Sequence, residues 1–219
     1  MKNHDYPGIL IVVEGADGAG TTTQSEKLAE EFDAEWTAEP TSGLVGQKIQ
    51  EMIRSDDYSA EAIALNFAAD RMIHLEEEVI PFLKQGKTVV MDRYYHSSLA
   101  YQPALGADYS WVKELNRDAL MPDLTLVIDV EPEEALSRIE DREFGKINTD
   151  IEEEDGQTSL VSNGTDVIFE NLDFEQEVIK RYRDLESRLD EEVVLIDGSV
   201  SIEEVFDQVL SAVESEDLR

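Results

Sequence analysis

The chain has 219 residues, 41% of them hydrophobic, and is long enough to bury one substantial core. Its 51 acidic and 18 basic residues give a net charge of −33, which argues against the basic surface that direct nucleic-acid binding requires. No apolar run is long enough to span a membrane. The absence of cysteine excludes disulfides and thiolate chemistry.

The acidic residues are spread through nearly every amphipathic segment and are not gathered in a tail. Like charges repel at low ionic strength, and concentrated salt screens that repulsion. We therefore predict a halophilic, salt-dependent protein, with a metal-binding surface as the alternative. The amino terminus, MKNHDYPG, has no apolar stretch before the first strand, which argues against a secretory signal and favours the cytoplasm.

Apolar runs typical of buried strands alternate with segments of helical periodicity. Strands are predicted at 9–13, 34–38, 88–91, 124–128 and 193–196, and helices at 22–32, 44–54, 60–85, 109–119, 132–140, 172–189 and 202–213. This order predicts one α/β domain over 1–219, with helices on both faces of a five-stranded parallel sheet and ligands at the carboxyl ends of its strands. The polar segment at about 141–168 interrupts the alternation of strands and helices and is predicted to be a lid.

The stretch EGADGAGTTTQ, residues 14–24, joins the first strand to the first helix. Glycines in such a turn let backbone amides hold phosphate oxygens, and a hydroxyl at the position of Thr22 is the usual magnesium ligand. An ordinary glycine-rich turn is the alternative. Thr21 stands where phosphate loops carry a lysine. The residues expected at the nucleotide phosphates are Gly15, Ala16, Asp17, Gly18, Ala19, Gly20, Thr21, Thr22 and Thr23.

Two further motifs carry groups suited to a nucleotide. Phe67 and Arg71 share one face of the long helix, where an aromatic plane and a guanidinium can stack on and hydrogen-bond a base. Alone this pair is a weak signal, because such a phenylalanine is more often a core residue and such an arginine a solvated one. The segment VVMDRYYHSSLAYQ, 89–102, delivers Asp92 and Arg93 from a buried strand into a turn rich in Ser and Tyr.

The three histidines do not indicate a functional site. His74 is expected on the surface of the long helix and His96 at a solvent-facing helix start, while His4 precedes the fold. These histidines have no set of partners with the spacing of zinc ligands.

These motifs occur in the order and spacing of thymidylate kinases, which the chain resembles over nearly its whole length, least in the lid and the last helix. DRYYHSSLAYQ matches the family signature at essentially every position. The resemblance implies a P-loop nucleoside monophosphate kinase that transfers the ATP γ-phosphoryl group to dTMP with Mg²⁺. It also implies a homodimer built on the long helices.

The resemblance implies a role for each matching residue. Asp17 accepts a hydrogen bond from the nucleotide 3′-hydroxyl, and Arg93 holds the dTMP phosphate. Thr22 and Asp92 lie at the magnesium ion. The residues implied at the base and sugar are Glu39, Phe67 stacking on thymine, Arg71 bonding its O4, Ser98 at the base edge, Tyr101 beside the 2′ position and Gln102. The cations implied at the transferred phosphoryl group are Arg138, Arg142 and Lys146.

Three positions depart from the family pattern, because Thr21, Ala38 and Gln50 are neutral where cations are usual. One lost charge-assisted bond is worth roughly 1.5–3 kcal/mol, or about one to two decades of rate. We favour replacement by other cations, since the rest of the motif set is retained. The candidate replacements are Arg142, Lys146, Lys48 and Arg54. There are two alternatives to this replacement. Either the acceptor is another nucleotide or a deoxynucleoside instead of dTMP, or the chain is a regulatory protein that binds nucleotide without turnover.

Overall fold

The structure is a computed structural model that describes residues 1–55, 57–149 and 172–216, with the side chains of 141–149 outside the description. Its sheet has five parallel strands in the order β2-β3-β1-β4-β5. The strands are β1 Leu10–Gly15, β2 Glu35–Ala38, β3 Val89–Asp92, β4 Leu124–Asp129 and β5 Val193–Asp197. All five predicted strands and the predicted fold class are confirmed.

Helices lie on both faces of the sheet. The helices are α1 Thr21–Glu31, α2 Leu44–Ile53, α3 Ala60–His74, α4 Ile80–Lys84, α5 Tyr95–Ala104, α6 Tyr109–Leu115, α7 Pro132–Thr149, α8 Leu172–Arg183, α9 Leu185–Arg188 and α10 Ile202–Ser215. A π-helical turn, Leu75–Val79, joins α3 to α4. Within the described residues, no helix combines the length and apolar character needed to cross a bilayer.

Strand β1 divides the interior into two cores, because successive side chains of a strand point to opposite faces. Leu10 and Val12 enter a core shared with α3, α5 and α8. Ile11 and Val13 enter a second core shared with α1 and α10. Strand β1 is central, so its carboxyl end, with the glycine loop, lies between the ends of β3 and β4.

Helix α5 corrects the sequence interpretation, which placed a Ser- and Tyr-rich turn there. Nine of its ten residues are buried, and His96 is 0% exposed instead of facing solvent. The Glu14 carboxylate accepts from the backbone N–H groups of Tyr94 at 2.7 Å and Ser97 at 3.2 Å. These bonds satisfy free amides at the start of α5 from inside the protein, so the helix can begin without solvent.

Two other expectations need correction. His74 is 3% exposed and not on the helix surface, because its ring bonds the Thr37 hydroxyl at 2.7 Å beneath the sheet edge. Helix α7 continues to Thr149, although the lid was predicted to begin at 141. The rest of the predicted lid, from 150 to 168, lies outside the described residues.

Candidate active site

The glycine loop lies between β1 and α1, as predicted. Gly18 and Gly20 have φ of 81° and 96°, which side chains rarely adopt. A Cβ at Gly18 would also lie 2.3 Å from the Ala135 carbonyl oxygen. A cavity of about 290 Å³ opens over the loop. Its lining residues are Asp17, Gly18, Gly20, Thr21, Thr22, Thr23, Arg93 and Arg138.

The cavity over the loop has little positive charge. Arg93 and Arg138 are the cations among its described lining residues, and Thr21 is neutral and 5% exposed. The Arg138 guanidinium is held by the Glu134 carboxylate at 2.5 Å and by the Gly198 carbonyl oxygen at 2.8 Å. The side chains of Arg142 and Lys146 lie outside the description.

Thr22 and Asp92 form a compact oxygen pair at the start of α1. The Thr22 hydroxyl donates to Asp92 Oδ2 at 2.5 Å. The other carboxylate oxygen, Asp92 Oδ1, is buried and has no hydrogen-bond partner. A hydroxyl beside an unsatisfied carboxylate oxygen is the hard-oxygen environment that Mg²⁺ prefers, so these residues fit the predicted ion.

Arg93 is the central cation of the site. It directly follows β3 and has a positive φ of 67°, uncommon for a residue with a side chain. Its guanidinium donates to the Gly15 carbonyl oxygen at 3.0 Å and to Asp17 Oδ1 at 2.6 Å. The Asp17 backbone N–H donates to the Tyr101 hydroxyl at 3.0 Å, and the Arg93 guanidinium lies 5.5 Å from the centre of that ring. Arg93 thus ties the ends of β1 and β3 to α5.

A second cavity, of about 350 Å³, opens on the other side of Arg93. It shares Asp17 and Arg93 with the cavity over the loop, so the two spaces meet at this ion pair. Its lining residues are Asp17, Glu39, Pro40, Gln50, Ile53, Arg54, Phe67, Arg71, Arg93, Tyr94, Ser97, Ser98, Tyr101 and Gln102. The structure therefore brings every residue predicted for the base, sugar and acceptor phosphate to one cavity.

Arg71 lies in the floor of this cavity and is only 1% exposed. It donates to Glu39 Oε2 from Nε at 2.8 Å and approaches the same oxygen from Nη2 at 2.7 Å. Its Nη1 donates to Asn116 Oδ1 at 2.5 Å and to Ser98 Oγ at 3.3 Å. The alternative reading of Arg71 as a solvated residue is wrong. Sequence reasoning missed Asn116, which follows α6 and belongs to no recognised motif.

A second buried network lies beneath Arg93. Glu14 accepts from the hydroxyls of Ser97 at 2.7 Å and Tyr182 at 3.0 Å. Burial opposes its charge, but His96, Arg93 and Ser97 together outweigh burial, and the pKa of Glu14 is lowered. Burial likewise opposes the charge on His96, yet the neighbouring carboxylates of Glu14 and Glu191 raise its pKa to about 9. Sequence reasoning assigned none of these five residues, Glu14, Ser97, Tyr182, His96 and Glu191, to the support of the site.

Two of the candidate replacement cations, Arg54 and Lys48, differ in their position relative to the acceptor cavity. Arg54 lines the acceptor cavity beside Gln50. Lys48 instead bonds Glu51 at 2.8 Å and the Tyr58 hydroxyl at 2.9 Å, and it is absent from the lining of both cavities. Arg54 is therefore better placed than Lys48 to reach an acceptor phosphate.

Comparison with known proteins agrees with this geometry. The family model described as thymidylate kinase matches residues 13–209. A probable thymidylate kinase of Methanococcus maripaludis (strain C7) is 34% identical over 93% of this chain and 94% of its own. The probable thymidylate kinase of Thermococcus onnurineus is 34% identical over 96% of this chain and 100% of its own. That of Staphylothermus marinus is 36% identical over 85% of this chain and 97% of its own. On these matches and on the motifs gathered around Arg93, the chain belongs to the thymidylate kinase family.

Proposed function

We propose that the protein transfers the γ-phosphoryl group of ATP to dTMP, giving ADP and dTDP. The observation that carries this proposal is the meeting of two cavities at Asp17 and Arg93. ATP occupies the cavity over the glycine loop and dTMP the larger cavity. Because phosphoryl transfer depends on positioning and charge neutralisation, the reaction belongs where the two spaces join.

The acceptor is oriented by groups that the fold already holds in place. Phe67 stacks on thymine, and the Arg71 guanidinium bonds its O4 while Glu39 and Asn116 fix that guanidinium. Asp17 faces the sugar 3′-hydroxyl, and the Tyr101 ring crowds the 2′ position. A planar guanidinium with fixed partners loses little freedom on binding, which favours selection for one base.

The phosphates meet backbone amides, hydroxyls and a few cations. The loop amides and the amino end of α1 hold the ATP phosphates. Arg93 and Arg54 hold the acceptor phosphate, and Arg138 reaches the donor side. Thr22 and Asp92 would hold Mg²⁺, which neutralises phosphate charge when bound. Arg142 or Lys146, in the last part of α7, takes the role of the absent loop lysine.

The physical setting of this enzyme follows from its surface. A net charge of −33 supports a halophilic enzyme that works in concentrated salt, in the cytoplasm. Helix α3 leaves Leu65 51% exposed and Ile73 45% exposed, two turns apart on one face. This apolar stripe supports a homodimer built on the long helices.

An acceptor panel tests the proposal. Purified protein in molar KCl with Mg²⁺ and ATP is given dTMP, dUMP, dCMP, dGMP or thymidine, and ADP release is measured. The expected result is the highest kcat/KM for dTMP. A higher kcat/KM for another nucleotide or for thymidine would replace dTMP as the acceptor. ATP binding without ADP release for any acceptor would favour a regulatory protein.

A further inference from the structure

Glu175, on α8, is a buried carboxyl group that the proposed mechanism does not use. It is 0% exposed, and neither of its carboxylate oxygens has a hydrogen-bond partner. Buried carboxylates are almost always paired or hydrogen-bonded, because an isolated buried charge is costly. An orphaned carboxyl next to an active site therefore calls for a functional explanation.

The face of α8 that carries Glu175 packs against Arg93 and α5. Glu175 and Tyr182 are seven residues apart and share one face of the helix. The Tyr182 hydroxyl lies 2.8 Å from Ser97 Oγ and 3.5 Å from Arg93 Nη1, so this face packs against the Arg93 side chain. Phe174 places its ring 6.1 Å from that of Tyr101, at the same junction with α5.

Among the described residues, the charged groups acting on Glu175 are Asp17 and Arg93, which form the ion pair at the meeting of the two cavities. Tyr101 and Tyr182 stay neutral, because burial raises the pKa of both phenols well above the ordinary value. Glu14 also lies near this face, since it accepts from the Tyr182 hydroxyl.

Among the described side chains, the start of α7 meets α8 at a groove that Glu175 does not line. Glu131 and Glu133 line a groove with Lys180 and Arg183, on residues of α8 other than Glu175. Burial is the largest influence on Glu175, and together with repulsion from Asp17 it outweighs attraction by Arg93 and raises the pKa of Glu175 to about 8.

We propose that Glu175 is a positioning residue for the acceptor phosphate, acting through Arg93. In its neutral form it leaves the guanidinium available to bind the phosphate. In its ionised form it competes for that guanidinium and repels the phosphate. Glu175 is absent from the described lining of both cavities, so its proposed effect on the nucleotide passes through Arg93. The inference rests on the proposed role of Arg93 in holding dTMP.

The charge state of Glu175 matters because there is little positive charge around Arg93 to attract the acceptor phosphate. Asp17 already offsets part of the Arg93 charge through a 2.6 Å ion pair. Thr21, Ala38 and Gln50 add no positive charge nearby. A second carboxylate facing Arg93 would leave the phosphate little net attraction at this point. A neutral Glu175 preserves that attraction at neutral pH.

The test is dTMP binding by titration calorimetry, in molar KCl, from about pH 7 to 9.5, where the phosphate is already a dianion. Glu175→Gln fixes the neutral form. The matched control is Glu177→Gln on the same helix, which removes the same charge from a 40% exposed side chain paired with Arg181. For the wild type and the control, dTMP affinity is expected to fall by up to about tenfold per pH unit above the pKa of Glu175. For Glu175→Gln it is expected to stay at its neutral-pH value.

Two further readouts separate this role from a structural one. Because dTMP favours the neutral form, its binding near pH 8 should take up protons in the wild type, whereas binding to Glu175→Gln should not. Thymidine, which lacks the phosphate, should bind wild type with little pH dependence. His96 titrates in the same range but is retained in Glu175→Gln, so a flat profile in that variant assigns the effect to Glu175.

The inference is overturned if wild-type dTMP affinity is flat with pH, if Glu175→Gln follows the wild-type profile, or if thymidine shows the same fall. Where Glu175→Gln does not fold, Glu175→Leu, which also lacks the charge, takes its place in both readouts. Formation of dTDP is measured separately at neutral pH. If dTDP is absent while the pH-dependent binding of dTMP persists, the kinase proposal fails and the role of Glu175 stands. If dTDP forms while binding is flat, only the role of Glu175 fails.

Discussion

Replacing Glu39 by Gln tests the buried ion pair that fixes Arg71 in the floor of the acceptor cavity. The Glu39 and Arg71 side chains are 2% and 1% exposed, and their atoms approach to 2.7 Å. Gln keeps the size of the side chain and an acceptor oxygen but removes the charge, leaving the guanidinium buried without a counter-ion. Breaking a buried pair in this way costs about 3 to 5 kcal/mol.

For a chain of this size, each kcal/mol lowers the melting midpoint by about 2 to 4 °C. We therefore expect Glu39→Gln to melt roughly 6 to 20 °C below wild type, measured by circular dichroism in molar KCl. The matched control is Glu78→Gln. The Glu78 side chain is 47% exposed, and its Oε2 lies 3.7 Å from His74 Nε2. The control should stay within about 0.5 kcal/mol of wild type. Equal melting midpoints for the two variants would refute the buried-pair reasoning.

Three further outcomes are expected. The melting midpoint of the wild type rises from low to molar KCl, because salt screens a net charge of −33, and an unchanged midpoint contradicts halophily. By NMR, His96 titrates near pH 9. Because its folded pKa is raised, its stabilising contribution is complete below about pH 6.5 and is lost as pH rises through about 9, so titration near 6.5 contradicts the buried network. Lys146→Ala lowers kcat by about tenfold or more, and Thr21→Lys in that background restores it; unchanged activity of Lys146→Ala removes that residue as the substitute.

The fold was predictable because its signals are local. The apolar run of β1, the glycines of the loop and the start of α1 are contiguous in sequence, and backbone geometry links them directly. The pairing of Phe67 with Arg71 could also be predicted from the sequence, since a helix places residues four apart on one face. The family signature at 89–102 then related these local elements to one cavity.

Helix α5 was missed because its signals are not local. It is buried on nearly all sides and so lacks the amphipathic pattern that marks a surface helix. Its first amides are satisfied by Glu14, 80 positions away from Tyr94. His96 likewise depends on Glu191, 95 positions away. Such pairings arise only when the sheet assembles, and sequence patterns within a short window cannot contain them.

Glu175 could not be singled out from the sequence because the chain is so rich in acidic residues. In a chain with 51 acidic residues, one more glutamate on a helix looks like another solvated charge. The neighbouring Glu177 fits that expectation, being 40% exposed and paired with Arg181. Glu175 is buried instead, and only the packing of α8 against α5 distinguishes it from Glu177.

The most direct test of the account is transfer of a labelled γ-phosphate from ATP to dTMP, in molar KCl with Mg²⁺, by wild type and Arg93→Met. The control is Arg117→Met, which removes an arginine 65% exposed and outside both cavities. We predict labelled dTDP from wild type and control, and a loss of at least about a hundredfold in kcat/KM for Arg93→Met. Label transfer by Arg93→Met at the wild-type rate, or its absence in wild type, would contradict the account.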